Sequence, residues 1–171
     1  MESDDQQIDE VSLMFEAARS FIGGAKIIID GDGIEENGVI KHPTLPVIVC
    51  SAIAVEIALK ALLKLNGLPR PSGDGHNLEL LFEALPASLQ IELLAFQVAY
   101  TNIPAPLAKQ MIHEEKDVFK AWRYAYEKST LATAPSFLFG LALALSEYIR
   151  STTPIERSDN GWLLTPKTAL K

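Results

Sequence analysis

The sequence predicts an all-α fold, an up-and-down bundle of five to six helices, on three observations. Apolar residues recur at three- and four-residue steps along most of the chain, the spacing of one helical face. No segment alternates with period two over a useful length, and no repeat of 20–50 residues is visible. Glycine and proline fall in short clusters between the periodic segments, and short connections favour antiparallel neighbours.

The first helix is expected over 9–29, where Val11, Met14, Phe15, Ala18, Phe21 and Ile22 share a face. Gly23-Gly24 interrupts that segment and suggests a kink or a close helix contact. Asp30-Gly-Asp-Gly reads as a stop and 30–46 as a loop. The strongest helix spans 47–66, with Val47, Cys50, Ile53, Ala54, Ile57, Ala58, Ala61, Leu62 and Leu65 on one broad face and Gly67 as its C-terminal stop. After a Pro/Gly-rich loop, Asn77 is placed to cap a short helix through about Ala84, which Pro86 ends. A further helix, opened by Ser88, runs from about Ala87 to Tyr100. A long one follows at 106–128 with Leu107, Met111, Val118, Phe119, Trp122 and Tyr126 on its apolar side. The last occupies about 135–151, Pro135 suiting its first turn. Residues 1–152 thus read as one helical-bundle domain and 153–171 as a loosely packed C-terminal tail.

The chain has 171 residues, 48% of them hydrophobic and 22% charged, enough apolar surface for a core. Its single cysteine, Cys50, excludes an internal disulfide framework and a cysteine-rich zinc site. The net charge of −7 is unevenly placed. Residues 1–36 hold ten acids against two bases, a balance of −8, and residues 37–171 twelve acids against thirteen bases, a balance of +1. That excludes a broadly basic nucleic-acid coat and leaves room for a local basic groove. The acidic N-terminus has no apolar run of a secretory signal. Glu56, Lys60 and Lys64 make the greasy stretch from Pro46 to Leu65 costly at mid-bilayer, so a cytoplasmic protein without membrane contact is expected.

Two stretches carry a resemblance. Ser51 to Gly67 followed by Gly75-His-Asn-Leu-Glu-Leu-Leu-Phe-Glu-Ala-Leu resembles a HEPN domain, through Glu56, Leu59, Lys60, Ala61, Leu62, Leu63, Gly67, Gly75, His76, Leu78, Leu81 and Phe82. Phe119-Lys-Ala-Trp-Arg-Tyr-Ala-Tyr-Glu resembles a segment of some members, and together the matches fall within residues 47–128. The resemblance implies a small helical bundle, often a homodimer, from bacterial toxin, plasmid and phage-defence systems, where a nucleotidyltransferase antitoxin can be the protein partner. RNA or a nucleotide is the implied ligand.

The resemblance also supplies a catalytic pattern, an arginine followed after four to six residues by a histidine. Arg70 and His76 meet that spacing with five residues between them. Such a pair supports metal-independent RNA cleavage, with imidazole moving the proton and guanidinium offsetting charge on the phosphorane. Pro71, however, stands where the nucleases place a polar residue, and the pair spans a loop after the second helix. In the alternative, His76 orients the next helix and Arg70 is a solvated loop charge, leaving a non-catalytic or weakly catalytic module that binds nucleic acid or protein.

Two further groups are candidates for binding. Glu56 and Lys60, four residues apart, share a helix face and are read either as a polar cluster with His76 or as an intrahelical ion pair. Arg123, Tyr124, Tyr126 and Glu127 form a polar-aromatic patch suited to holding a phosphate and stacking a base, or to interhelical hydrogen bonds. His113, Glu114, Glu115 and Asp117 lack metal-ligand spacing and read as a solvated charged face. No cofactor or metal site is expected.

Overall fold

Eight helical segments and two short hairpins make up the described chain. The computed structural model describes the backbone of residues 4–31, 34–36, 39–41, 44–72, 75–123, 133–153, 155–158 and 161–164, and side chains within 10–31, 44–72, 75–122 and 133–153. The helices are α1 (Asp4–Asp30), α2 (Thr44–Leu65), α3 (Leu78–Glu83), α4 (Ala87–Phe96), α5 (Val98–Thr101), α6 (Ala105–Glu114), α7 (Val118–Arg123) and α8 (Pro135–Thr152). Strands β1 (Ile34–Glu36) and β2 (Val39–Lys41) pair antiparallel with Glu35 opposite Ile40, inside the expected 30–46 loop. Strands β3 (Ile155–Ser158) and β4 (Gly161–Leu164) pair likewise with Glu156 opposite Leu163, and β4 runs beside α1. Each strand has only three or four residues, too few for alternation to register as a pattern.

Helix α1 buries Val11, Phe15, Ala18, Ile22 and Ala25, with Met14 and Phe21 half-buried, so the periodic face predicts its packing side. It runs unbroken through Gly23-Gly24, and a Cβ built on either glycine meets no described atom within 4 Å. The close contact expected there is not made by any of the described residues.

Helix α2 is the centre of the bundle, packed against α1, α3, α7 and α8. It starts three residues earlier than expected, with Pro46 in the first turn, where a missing N–H costs nothing. Its buried side includes Ile48, Ser51, Ala52, Val55, Leu59 and Leu63, whereas Cys50, Ile53 and Ile57 are half-buried and Leu65 is exposed. Val47, Ala54, Ala58, Ala61 and Leu62 of the expected face are buried too; the helix is apolar nearly all round, and neighbours on several sides decide what is covered. By length and composition α2 is long and apolar enough to cross a membrane, and most of that apolar window is buried inside the protein.

Gly67 ends α2 in the left-handed region at φ 66°, which a Cβ would disfavour. The Gly67 N–H donates to Lys64 O and the Leu68 N–H to Leu63 O, the paired bonds of a Schellman turn. The expected 106–128 helix is two elements: α6 ends at Glu114, and the Val118 N–H bonds Glu115 O in the intervening turn. The expected 87–100 helix likewise breaks at Gln97, and Pro86 rather than Ser88 precedes it.

Gln97 is 1% exposed and uses its whole amide. Its Nε2 donates to Leu94 O (3.0 Å) and Ile103 O (2.8 Å), and its Oε1 accepts from the Thr101 hydroxyl. Asn102 follows at φ 59° and turns the chain into α6. This network places α5 against Gly140 of α8. A Cβ on Gly140 would stand 3.0 Å from Tyr100 O and 2.9 Å from Thr101 Cγ2.

Candidate functional site

One stripe of α2 carries Glu56, Lys60 and Lys64, successive residues four apart and so one above another on the helix. Glu56 is the buried member, at 7% exposure, and an ionised carboxylate there requires partners. Lys60 Nζ donates to Glu56 Oε1 at 2.6 Å. His76 Nδ1 lies 3.1 Å from Oε1 and 3.0 Å from Oε2 of the same carboxylate. An ionised carboxylate only accepts, so Nδ1 carries the proton and donates it, which fixes the tautomer and the ring plane.

The local sequence explains how His76 arrives there. The Schellman turn at Gly67 ends α2, and Pro69 and Pro71 favour extended backbone at the residues before them. Gly75 lies next to Lys60, where a Cβ would stand 3.9 Å from Nζ. Asn77 then caps α3, its Oδ1 accepting the Leu80 N–H at 2.9 Å. The Leu78 N–H also donates to Lys116 O at 3.0 Å, tying the start of α3 to the α6–α7 turn. That turn delivers Phe119, whose ring stacks on His76 at 4.8 Å between centroids and 23° between planes. The imidazole is thus held at Nδ1 by a carboxylate and on one face by a ring, yet its side chain is 47% exposed.

Arg70 has a different acid. Its Nη2 is 3.7 Å from Glu10 Oε1 of α1, and Lys64 Nζ hydrogen-bonds Glu10 Oε2. The Lys64 bond holds the Glu10 carboxyl below its ordinary value of 4.5. The α6–α7 turn adds Lys116, 3.9 Å from Glu79, and α7 adds Lys120, 3.9 Å from Asp117. His113 Nδ1 lies 2.7 Å from Glu79 Oε1.

Of the residues singled out from sequence, Glu56, Lys60 and His76 therefore form one hydrogen-bonded cluster. Arg70 engages a carboxylate on another helix. The backbone of Arg123 ends α7, while its side chain and the whole of Tyr124, Tyr126 and Glu127 lie outside the described residues. Two participants were not recognised in the sequence: Phe119, visible only as one apolar residue among many, and Glu10, one acid of an acidic segment. The stripe at positions 56, 60 and 64 was the available signal, since three charges on one face of an otherwise apolar helix need partners from elsewhere.

The expectation of a solvated face at 113–117 fails at Glu115, which is 6% exposed. Its Oε1 accepts the Ala134 N–H at 2.6 Å and its Oε2 the Thr133 hydroxyl at 2.8 Å. Among the described residues, no three His, Cys, Asp or Glu side chains are grouped to hold a metal ion.

Chemically, the cluster presents a half-exposed imidazole with a defined tautomer on an aromatic support, beside the cationic side chain of Lys60. That arrangement suits a stacking platform for a planar group, or an oriented general base. Compared with known proteins, the chain matches no protein-family model, no curated protein and no solved structure.

Proposed function

We propose that this chain is a HEPN-like helical module that binds single-stranded nucleic acid without cleaving it, in the cytoplasm of a bacterial toxin or defence system. The observation that carries the reading is the His76–Phe119 stack, fixed by Glu56, with Lys60 on the same carboxylate. Single strands are held by aromatic faces interleaved with cations, and the 3.9 Å pair of Lys116 with Glu79 is of the weak, partly exposed kind. The resemblance agrees with it, because several of the residues that carry it have structural work in the cluster: Glu56, Lys60 and His76 form it, and Gly67 and Gly75 bring the loop to it. A binding rather than a cleaving role is supported by Arg70 and His76 meeting different carboxylates, Glu10 and Glu56. A homodimer, which the resemblance implies, is part of this reading.

The test is fluorescence anisotropy with an end-labelled single-stranded RNA in EDTA, alongside a gel that would reveal fragments. Binding without fragments is expected, and Phe119→Ala and His76→Ala each weaken it by about 1–3 kcal/mol, the value of one stacked base. Unchanged affinity in both variants refutes the reading. A second reading, a metal-independent endoribonuclease using Arg70 and His76, is favoured by the carboxylate on Nδ1, which orients an imidazole as a general base. Fragments that disappear in both Arg70→Ala and His76→Ala would select it.

A further inference from the structure

Lys64 and Arg70 belong to different elements, the last turn of α2 and the loop beyond it, yet their charged ends converge on one carboxylate. Two cations so placed repel each other unless an anion lies between them. Glu10 is that anion, giving one oxygen to each cation, as the two free oxygens of a phosphodiester would. It comes from α1, and the sequence from Met1 to Glu10 holds Glu2, Asp4, Asp5, Asp9 and Glu10 and no basic side chain. The contact is at the surface: the Glu10 side chain is 46% exposed and that of Arg70 58%. Exposed ion pairs of this kind are weak and are exchanged for stronger ones. Lys64 is one helical turn, about 6 Å, from Lys60 along α2, so the pair continues the row that leads to His76 and Phe119.

We propose that Lys64 and Arg70 form a phosphate-binding pair for single-stranded nucleic acid, and that Glu10 occupies it as a tethered competitor. The inference rests on the nucleic-acid reading given above and adds a subsite and its regulation. Glu10 sits beside the pair at high effective concentration, so a ligand must displace it, and short or weakly charged strands fail to do so. A strand that spans both subsites sets a phosphate between Lys64 and Arg70 and a base on the His76–Phe119 platform.

The experiment measures binding of an end-labelled, mixed-sequence single-stranded RNA to the full chain across a salt series. Glu10→Gln is expected to tighten binding roughly 2- to 5-fold, the scale of a lost surface ion pair. It also steepens the log–log salt dependence by about 0.7, the value of one added single-strand phosphate contact. Adding Arg70→Ala returns both quantities to those of the parent. Lys64→Gln gives the same reversal independently, and circular dichroism with thermal melting confirms that each variant is folded. Glu83→Gln removes an equal charge from an exposed site in α3 and is expected to change neither quantity. If the parent binds RNA and Glu10→Gln binds it identically, or if Glu83→Gln has the same effect, the competitor is refuted and the nucleic-acid reading stands. If no variant binds RNA, both fall.

Discussion

Replacing Glu115 tests whether a single buried carboxylate joins the end of α6 to the start of α8. The residue follows α6 and reaches the residue preceding α8, accepting the Ala134 N–H at 2.6 Å and the Thr133 hydroxyl at 2.8 Å. Helix starts leave N–H donors without intrahelical acceptors, and a carboxylate on the first of them is the second half of a capping box. Here the carboxylate comes from a different helix, and Pro135 already removes the next donor. Glu115→Ala leaves a buried N–H without this acceptor, at about 1–3 kcal/mol. It also removes a negative charge from the positive end of the α8 dipole, at about 0.3–1 kcal/mol. The expected loss is therefore about 1.5–4 kcal/mol. Glu115→Gln keeps an acceptor oxygen and loses only the charge, so about 1 kcal/mol is expected. Thr133→Val removes one donor and costs about 1 kcal/mol. Urea denaturation with an unchanged m-value reads all three. An alanine variant within about 0.5 kcal/mol of the parent, the usual range of a surface substitution, would refute the cap, as would a glutamine variant as unstable as alanine.

The remaining predictions concern packing and titration. Gly140→Ala forces α8 away from the Tyr100 carbonyl and the Thr101 methyl, and is expected to destabilise by about 1–3 kcal/mol despite the better helix propensity of alanine. Adding Thr101→Ser recovers part of that loss only, because the carbonyl contact stays; full recovery in urea melts would contradict it. Burial, helped by the Glu92 carboxylate 2.5 Å away, raises the Tyr148 phenol from 10.0 to about 12. The folded state thus holds this proton more tightly than the unfolded one, so the associated stability is present below pH 10 and is lost as the pH rises toward 12. Ultraviolet titration reads the value directly, and Glu92→Gln is expected to lower it while leaving it above 10, because burial is the larger cause.

How much of this was legible in the sequence depends on the scale of the interaction. Helix identity was legible, because periodicity and punctuation are local: the face of α1, the Asn77 cap and the Gly67 stop all follow from residues within a few positions of one another. The turn at Glu115–Asp117 was not, since it contains neither glycine nor proline and is held by bonds to residues 133 and 134. The same long-range bonds turned an apparent charge run into one buried acid among exposed neighbours. At the site, spacing placed Glu56 and Lys60 on one face, and the resemblance drew attention to His76. Phe119, 43 residues beyond His76 in the sequence, and Glu10, 60 residues before Arg70, meet their partners only through folding. Side-chain identity alone did not separate either from its neighbours.

The Gln97 network carries a consequence for how the chain tolerates change. Every hydrogen-bonding group of that amide is used, two donations to carbonyls and one acceptance from Thr101, so neither glutamate nor a shorter amide repeats the pattern. The same bonds press α5 onto Gly140, where any side chain meets the Tyr100 carbonyl. Positions 97, 101 and 140 are thus one unit spread over the α4–α5 junction, α5 and α8. Relatives of this chain should keep all three residues together or exchange all three, and a variant altered at only one of them inherits a misfit that the other two enforce.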